Sequence, residues 1–560
     1  MSPDELLRTI QLAPAPLTPG GVTIQDFCPL NDSVETLVTQ RYWLREGLRP
    51  FVQDEMPYVI NNSGWAPEAA AAVLYDGLAA LDSSLELVVL EVAAGVGLFA
   101  RQVLDALAAA DEANGGSVYA RLRYIVTDYS AATVDGWVRS GQFDDHAAHV
   151  TLGRCDVRDL VVWGLDGTPI TLPAPHTIVA NYALDALPST VVRLVDGELE
   201  ELMVRTQLPW PEAEIRTRFG CSLKELRANL DSDTLLAVAN ELEIEAAFRP
   251  ASAGISPWGM IVADHFPDSV PVSANFGALD FLTFAIGRLA PGGFVFLSDY
   301  GPVRMAEFGS LTFTHRFGHM TTNSVNFSFI DRYFHNSETE VYAARGDEDR
   351  SIHVRLIVQG DGPSNAWQTF LATMAHADYL DGDRRHLVAT EHVAHGRYEA
   401  ALEAFQRGIA ICERDWYLLA TAAQFLCQQL GRNDEALALA QQAAAINPWH
   451  SARVWNTVGN AQYRLGQFDA AADSFDRAFQ IDSDDPQTLL NRAFILDGRG
   501  DEAGALQSIA AGLLADSAGR FRDSLLAKQA AIVGARAGRF AAAGAQIQRR
   551  EAVLRAAGRE

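Results

Sequence analysis

A short pattern that recurs at an almost constant interval constrains the last third of the chain more than any other feature. Its copies read HGRYEAAL, LGRNDEAL, LGQFDAAA, RGDEAGAL and AGRFAAAG, and their glycines are Gly396, Gly431, Gly466, Gly500 and Gly538. Successive glycines lie 35, 35, 34 and 38 residues apart. A period of this length indicates a stack of similar small units, because one such unit cannot bury its apolar face alone.

The interval of about 34 residues resembles that of the tetratricopeptide repeat, a pair of antiparallel helices. In one unit, the large, small, aromatic, small, aromatic and small positions of that repeat are Trp455, Gly459, Tyr463, Ala471, Phe475 and Ala478. We therefore predict an all-α solenoid of five units over residues 381–560, closed by the polar tail AQIQRREAVLRAAGRE. Such solenoids commonly bind a peptide or protein in a groove, but self-association and packing on a neighbouring domain are alternatives.

A strand that runs into a glycine turn is the main constraint on the first part of the chain. Residues 85–100 read as a strand (LELVVLEV), a turn (AAGVG) and the start of a helix, which is the context of a nucleotide- or nucleoside-binding turn. Four more apolar strands follow, and they end at Asp128, Asp156, Asn181 and Asp299. This alternation predicts an α/β, Rossmann-like parallel sheet with a ligand at the carboxyl ends of its strands.

Carboxylates around the turn discriminate between ligands. Glu91, which precedes the turn, and the acids at the other strand ends would repel a pyrophosphate bound at the helix N-terminus. They instead suit a cationic ligand with free ribose hydroxyls. A Rossmann-like sheet that binds NAD, or binds nothing, is the alternative.

This arrangement resembles class I S-adenosylmethionine-dependent methyltransferases, in which an E-x-G-x-G-x-G motif supports the methionine end of the cofactor. The resemblance implies S-adenosyl-L-methionine as the cofactor. The cofactor-binding residues that it implies are Glu91, Ala93, Gly95 and Gly97 at the turn, Asp128 on the ribose, Asp156 at the adenine, and Asn181 at the adjoining strand end. Ala93 replaces the first glycine of the motif, and we expect it to adopt an ordinary backbone angle.

Three segments narrow the resemblance to the MidA-like methyltransferases, whose mitochondrial members are complex I assembly factors that dimethylate an arginine. WAPEAAAAVLYDGLA, ANYALDALPSTVVRLVDGELEELMV and FVFLSDYGPVR are similar to the family's T-A-P-E-I, A-N-E-x-x-D-A-L-P-V and I-D-Y-G segments. The similarity spans about residues 25–360. The chain departs from the family at Tyr182, where the family has glutamate, and in the turn, which reads AAGVG rather than G-P-G-R-G.

An arginine acceptor needs carboxylates, because its guanidinium is protonated at physiological pH and one nitrogen must be aligned behind the methyl group. Asp185, four residues after Asn181, is the first candidate for this catalytic role. Glu68 and Asp299 follow, since all three lie in the resembling segments. The structural alternatives are a turn or N-cap at Asp185, a first-turn helix position at Glu68 and a turn cap at Asp299.

Residues 205–275 interrupt the sheet pattern with two predicted helices, SLKELRAN and DTLLAVANELEIEAAF, which we interpret as a cap over the acceptor pocket. Tyr182 and His315 are predicted to contact the substrate. His315 and His319 lie in a β-branched and aromatic segment without an HExxH motif, so no metal site is predicted. The five cysteines form no CxxC pair, which argues against a zinc site and a disulfide framework.

The net charge of −27 is concentrated in residues 1–380, which hold 49 acidic and 24 basic residues, against 22 and 20 in the remainder. An acidic surface disfavours nucleic acid and attracts a cationic substrate. The start of the chain lacks the pattern of a signal peptide, and no apolar run reaches the length of a membrane span. We therefore expect a cytoplasmic protein without a membrane partner.

These patterns predict an N-terminal helical segment (1–80), a class I methyltransferase domain (81–365) and a repeat domain (381–560). The predicted function is methylation of a peptide or protein, on arginine, with the repeat domain recruiting the substrate. One alternative is a non-catalytic cofactor-binding assembly factor or scaffold, which the tyrosine at position 182 keeps open. Another is a small-molecule methyltransferase whose repeat domain forms a homodimer.

Overall fold

Buried apolar strands form the frame of the first of two units, Met1–Asp383 and Arg384–Glu560, and each unit has apolar clusters of its own. The computed structural model describes residues 8–9, 17–53, 64–230, 236, 238–308, 314–317, 320–349, 352–360, 364–374 and 382–556. The strands described in the first unit are β1 (Arg8–Thr9), β2 (Val22–Pro29), β3 (Leu87–Val92), β4 (Leu122–Asp128), β5 (Val150–Asp156), β6 (Val161–Trp163), β7 (Thr177–Asn181), β8 (Thr190–Val195), β9 (Glu198–Leu208), β10 (Glu243–Pro250), β11 (Val272–Ala274), β12 (Phe294–Tyr300), β13 (Thr314–Phe317), β14 (Met320–Asn323), β15 (Thr339–Ala343) and β16 (Ile352–Gln359).

Eight of these strands form the main sheet, in the order β15-β16-β12-β7-β3-β4-β5-β6. The central strands β12, β7, β3, β4 and β5 are parallel to one another, whereas β16, β15 and β6 pair antiparallel at the two edges. The central strands are those predicted from the sequence. Because they are parallel, their carboxyl ends meet at one edge of the sheet.

Helices cover both faces of this sheet. The α-helices described in the first unit are α1 (Val34–Glu46), α2 (Arg49–Val52), α3 (Trp65–Ala79), α4 (Leu98–Asn114), α5 (Ala131–Ser140), α6 (Glu212–Phe219), α7 (Leu223–Ala228), α8 (Trp258–Ala263), α9 (Phe276–Arg288), α10 (Phe327–Tyr333) and α11 (Ser364–Thr373). Buried residues of α3, α4, α5 and α11 form the core on one face, and those of α9 and α10 contribute to the core on the other. Among the described helices of the chain, none is long and apolar enough to cross a membrane.

A second, five-stranded sheet accompanies the predicted cap region, in the order β10-β9-β8-β11, with β2 also paired to β9. The predicted helix SLKELRAN is present as α7, which begins with a capping box between Ser222 and Glu225. The prediction that residues 1–80 are helical is wrong for β2, which is a strand on β9. Val22–Pro29 lacks a helical apolar period, and the edge of β9 supplies its hydrogen-bond partners.

The second predicted helix of the cap is also wrong over most of its described part. Glu243–Pro250 is the strand β10, antiparallel to β9 along its whole length. The segment is rich in alanine and glutamate, which favour helix, but β9 extends over 11 residues and offers a long pairing edge. Tertiary pairing therefore overrides local propensity here. Residues 233–235 and 237 of the same prediction lie outside the described residues.

The second unit is all-α. Its described helices are α12 (Gly382–Ala394), α13 (Tyr398–Ile411), α14 (Trp416–Phe425), α15 (Asn433–Ile446), α16 (Ala452–Arg464), α17 (Phe468–Ile481), α18 (Pro486–Gly498), α19 (Glu502–Ala515) and α20 (Arg522–Ala556). Gly396, Gly431, Gly466 and Gly500 lie in the turns within successive helix pairs, with φ of 69°, 66°, 78° and 84°. Their recurrence follows from this left-handed conformation, which glycine adopts without strain and which commonly ends a helix.

The prediction of a fifth repeat unit is wrong. Gly538 lies inside α20, a single helix of 35 residues, so four described helix pairs are followed by one long helix. The interval before Gly538 was already irregular, at 38 residues. Gly538 does not take the left-handed conformation of the other four repeat glycines, and the alanines that follow it favour continuation of the helix.

We predict that Gly459→Ala destabilises the repeat unit by about 1–3 kcal/mol, because overpacking forces neighbouring groups apart. A Cβ at this position in α16 would overlap the Phe475 ring of α17. The measurement is the free energy of unfolding in denaturant. The matched control is Gly534→Ala in α20, where an added Cβ meets nothing within 4 Å. This control should be neutral or stabilising by up to about 1 kcal/mol; equal effects of both variants would contradict the packing argument.

Candidate active site

The glycine turn after β3 is built from left-handed residues. Ala93, Gly95 and Gly97 have φ of 51°, 54° and 67°, and Gly97 precedes the first residue of α4. The expectation that Ala93 takes an ordinary backbone angle is wrong. A non-glycine residue in this region is strained by about 1–2 kcal/mol, and such strain concentrates at functional sites.

Side chains from α5 and the loop after it hold the turn in shape. Trp137 Nε1 donates to the carbonyl of Gly95 and Gln142 Nε2 to the carbonyl of Val96, each at 3.0 Å. The ring of Phe51, in α2, lies so close that a Cβ on Gly95 would approach it to 3.1 Å. None of these three supporting side chains was singled out from the sequence, because they come from separate elements without a local motif.

Asp128, at the end of β4, connects the turn to the next loop. Its two carboxylate oxygens accept hydrogen bonds from the backbone N–H groups of Gly95 (3.0 Å) and Ser130 (2.9 Å). Burial raises the pKa of Asp128 to about 6, although the hydrogen bonds lower it by favouring the ionised form. The next residue, Tyr129, is 48% exposed and presents an aromatic ring beside this carboxylate. The sequence contains a signal for this residue, since an aromatic residue directly follows the acid at the end of the strand.

Asp156, at the end of β5, is engaged by an arginine that the sequence analysis did not consider. Arg158 donates through Nε and Nη2 to both carboxylate oxygens, at 2.9 and 2.5 Å. This arginine lowers the pKa of Asp156. The carboxylate of Asp156 is thus ionised and paired. It and the guanidinium of Arg158 form a polar group at the carboxyl end of β5.

Glu91 is not on the surface of the turn. It is 1% exposed, on the sheet face packed by α3 and α4, and Tyr124 of the neighbouring strand donates a hydrogen bond to its Oε2. Its Oε1 has no hydrogen-bond partner among the described residues. Burial raises the pKa of Glu91 to about 8, so this carboxyl is largely protonated at neutral pH.

The end of β7 repeats the backbone feature of β3. Ser298 Oγ donates to Asn181 Oδ1 at 2.6 Å, and the N–H of Tyr182 donates to the carbonyl of Ser298 at 2.8 Å. Tyr182 has φ of 52°, so a left-handed non-glycine residue follows each of the two adjacent strands β3 and β7. The chain therefore turns sharply at both positions.

A pair of buried carboxyls lies next to this edge, after β7 and at the end of β12. Asp185 is 4% and Asp299 0% exposed. Burial and the charge of Asp299 raise the pKa of Asp185 well above its usual value, and burial raises that of Asp299 to about 7. Among the described residues no cation lies beside the two groups, and such a pair holds at least one proton near neutral pH.

The two carboxyls differ in what they bond to. Asp299 Oδ2 accepts the backbone N–H groups of Leu184 (2.9 Å) and Asp185 (3.2 Å), so Asp299 positions the loop that carries Asp185. The carboxyl of Asp185 instead bonds to the phenol of Tyr300, which in turn bonds to the hydroxyl of Thr322. Tyr300 and Thr322 are further functional candidates; only the Asp-Tyr-Gly sequence around Tyr300 signalled one of them.

Glu68 does not join this pair. It is exposed in the first turn of α3, where it lines a groove of about 260 Å³ with Tyr75 and Asn114 between α3 and α4. This groove is on the opposite sheet face from the one that Asp299 shares with Leu297. The structure therefore brings together Asp185 and Asp299 but does not bring Glu68 to them.

His315 is described through its backbone, in β13, where it pairs in register with Thr322 of β14. The strand β13 therefore lies next to Thr322, whose hydroxyl bonds to Tyr300. His319 lies outside the described residues. Within the described part of the chain, no group of three or more His, Cys, Asp or Glu side chains is arranged to hold a metal ion.

We predict that Glu91→Gln gains stability relative to the natural protein as the pH rises from about 5 to about 8, by roughly 1.4 kcal/mol per pH unit. In that window the unfolded glutamate is ionised while the folded one, with its pKa raised to about 8, retains its proton, so rising pH destabilises the natural protein. Glutamine does not titrate. The measurement is the free energy of unfolding of both proteins at several pH values.

Glu86→Gln is the matched control, because Glu86 is exposed just before the same strand. It should differ from the natural protein by a constant amount across the pH range. A pH-independent difference for Glu91→Gln would mean that Glu91 ionises freely in the folded protein.

Comparisons with known proteins agree with this architecture. Residues 70–356, more than half of the chain, match the sequence model of a family described as "Putative S-adenosyl-L-methionine-dependent methyltransferase". Residues 452–485 match the tetratricopeptide repeat. No curated protein matches the chain.

Two solved structures illustrate what each unit is similar to. A protein from Burkholderia thailandensis bound to S-adenosyl-homocysteine is 17% identical, with 69% of this chain and 84% of that chain covered and a TM-score of 0.35. A thermophilic tetratricopeptide repeat protein from Thermus thermophilus is 19% identical, with 27% of this chain and 80% of that chain covered and a TM-score of 0.24. By the extent of the family match, the chain belongs to this family of S-adenosyl-L-methionine-dependent methyltransferases and carries a C-terminal tetratricopeptide repeat region.

Proposed function

We propose that this protein methylates an arginine guanidinium of a peptide or protein, and that its repeat unit binds that substrate. The observation that carries the proposal is the buried pair Asp185 and Asp299, which lies at the carboxyl edge of the sheet next to the glycine turn. A family member needs an acceptor group to receive the methyl. This pair of carboxyls is suited to a cationic acceptor group.

The residues at the turn fit the cofactor. Gly95 and Gly97 let Phe51 and Trp137 pack against the turn and fix its shape, and Asp128 has lone pairs left for two ribose hydroxyls after its hydrogen bonds from the N–H groups of Gly95 and Ser130. Tyr129 offers a face on which the adenine ring can stack, beside the Asp156 and Arg158 pair. When bound, S-adenosyl-L-methionine supplies an electrophilic methyl group on a sulfonium.

The pKa values of the pair support a cationic acceptor. The pKa of Asp299 is raised to about 7 and that of Asp185 well above its usual range, because both groups are buried and no positive partner lies beside them among the described residues. A guanidinium that enters beside them replaces the missing charge, so binding is coupled to release of the proton that the pair holds. Its planar fork then fixes the orientation of one nitrogen.

Asp185 and Tyr300 supply the proton chemistry. The acceptor nitrogen forms one N–C bond and must lose one proton, while the methyl leaves its sulfur. The carboxylate of Asp185 accepts that proton, and the phenol of Tyr300, held by Thr322, orients the carboxylate. General base assistance of this kind typically contributes a factor of about 10²–10⁴ in rate.

Recruitment by the repeat unit follows from its type. A tetratricopeptide region is a protein-interaction module, and an arginine-containing segment is attracted to the acidic surface of residues 1–380. The cytoplasmic location expected from the sequence is compatible with such a substrate.

A scaffold that binds the cofactor without turnover is a second candidate. It is favoured by the bonding of Asp299, whose oxygens accept backbone N–H groups from Leu184, Asp185 and Tyr300, and by Tyr182 in place of the family's glutamate. Both features point to a structural role for these residues rather than a catalytic one.

We predict that Asp185→Asn lowers methyl transfer by at least about 100-fold, because the proton acceptor is lost. The measurement is transfer of radiolabelled methyl from S-adenosyl-L-methionine into a lysate of the source cells lacking this protein, followed by acid hydrolysis and separation of amino acids. Label should appear in methylarginine with the natural protein. Cofactor affinity should change little, since Asp185 is not at the glycine turn.

Asp268→Asn is the matched control, because Asp268 is an exposed acid in the loop before β11. It should retain full activity. Unchanged labelling with Asp185→Asn would exclude Asp185 as the base, and label in a small molecule would indicate a different acceptor. Tight cofactor binding with no label in any fraction would favour the scaffold.

We predict that removal of residues 384–560 abolishes methylation of the natural protein acceptor but leaves methylation of a short arginine peptide within a few-fold. The reason is that the reaction site lies wholly in the first unit. Retained cofactor affinity serves as the folding control for the shortened chain. Equal activity of both forms on the natural acceptor would refute recruitment by the repeat unit.

A further inference from the structure

The last helix, α20, carries an apolar stripe that the repeat core does not use. Large side chains recur every seven residues along it, at Leu526, Val533, Phe540, Ile547 and Leu554, and they are 45%, 52%, 68%, 59% and 44% exposed. Because seven residues are close to two helical turns, these side chains lie on one side of the helix. The 35 residues of α20 span about 50 Å.

The stripe differs from the face that joins α20 to the solenoid. Leu525 and Ile532 are 0% and 2% exposed, and they pack with Ala505 and Ile509 of α19. The side chains of the stripe follow these residues by one position, about 100° around the helix. Packing within the described part of the second unit therefore explains the burial of Leu525 and Ile532 but does not explain why the stripe is apolar.

Small residues follow three of the large ones along the stripe. Ala530, Ala537 and Gly544 each stand four residues after a large side chain and are exposed, whereas Glu551 takes the same position after Ile547. A strict seven-residue repeat with an interleaved second position is the pattern of helices that pair in a coiled coil. Because the second position is small, a partner helix can approach closely and its large side chains can fill these positions.

We propose that α20 pairs antiparallel with α20 of a second copy of this chain. In the register that seats Phe540 against Gly544 of the second copy, Ile547 meets Ala537 and Leu554 meets Ala530. Each of these three large side chains then lies against a small residue, as close packing of two helices requires, while Val533 lies against the aliphatic part of Glu551, whose carboxylate can extend out of the seam. This inference is independent of the proposed reaction.

Charge favours the antiparallel direction. In the stated register, Glu551 of one copy lies within one helical turn of Arg536 of the other, and the contact occurs twice by symmetry. Parallel pairing would instead set Glu551 against Glu551 and Arg550 near Arg550. Like charges at such positions destabilise a helix pair.

The area is sufficient for a dimer. Half-exposed leucine-sized side chains hide about 100 Å² each on pairing, so two stripes remove roughly 1,000 Å² from water, near the lower limit of a specific interface. The competing occupant is an acidic protein surface, since α20 has seven basic and two acidic residues. The second copy is preferred because the large and small positions of α20 complement each other.

The test is the mass of the full-length protein by sedimentation equilibrium across the micromolar range. The natural protein should be a dimer. Phe540→Glu should be monomeric, because it places a charge at the centre of the seam, whereas Ala542→Glu, on the opposite face of the same turn, should remain dimeric. Far-UV circular dichroism of each variant controls for loss of helix.

A second variant tests the direction of pairing. Ala537→Cys combined with Ile547→Cys should form disulfide-linked dimers on mild oxidation, because the two sites are about 15 Å apart in one helix but face each other between antiparallel copies. A monomeric natural protein would overturn the proposal and leave an acidic partner as the occupant. A dimer that persists in Phe540→Glu would place the interface elsewhere, and absence of the cross-link from a stripe-dependent dimer would overturn the antiparallel register.

Discussion

The parallel pairing of five buried strands is the constraint on which the first unit depends. β12, β7, β3, β4 and β5 hold one another in register through backbone hydrogen bonds, and side chains on both faces are buried. Because parallel strands all end at the same edge, residues from distant parts of the chain meet there. The glycine turn, the strand-end acids and the Asp185 loop owe their proximity to this one feature.

That edge combines strain with buried charge. Ala93 and Tyr182 adopt left-handed backbone angles, and Glu91, Asp185 and Asp299 are acids that burial keeps partly or largely protonated near neutral pH. Each of these features destabilises the folded state. They are consistent with a site that gains stability when a ligand supplies the missing contacts and charge, as in many enzymes.

Much of the fold was predictable from local pattern, and the failures share a cause. The five parallel strands and the four glycine turns of the repeats were confirmed, since apolar runs and left-handed glycines depend on near neighbours in sequence. Residues 243–248 were predicted as helix and belong to the strand β10, because pairing with the edge of β9, some 40 residues away, decides their conformation. Ala93 was expected to be unstrained but is left-handed. Its conformation depends on tertiary contacts of the turn, such as the hydrogen bond from Gly95 to Asp128, which the local sequence does not indicate.

The sequence by itself determined the succession of the five parallel strands along the chain, the cofactor class implied by the turn, and the repeat period, because these follow from apolar periodicity and from residues with special backbone preferences. Only the tertiary structure decided which acids share a site. Asp185 lies beside Asp299 and bonds to Tyr300, whereas Glu68 lies on the other face of the sheet. Asp156 pairs with Arg158. These contacts depend on strand order and on the direction of each side chain. The tertiary structure also showed that α20 continues through Gly538 with an exposed stripe, because helix length is set by packing as well as propensity.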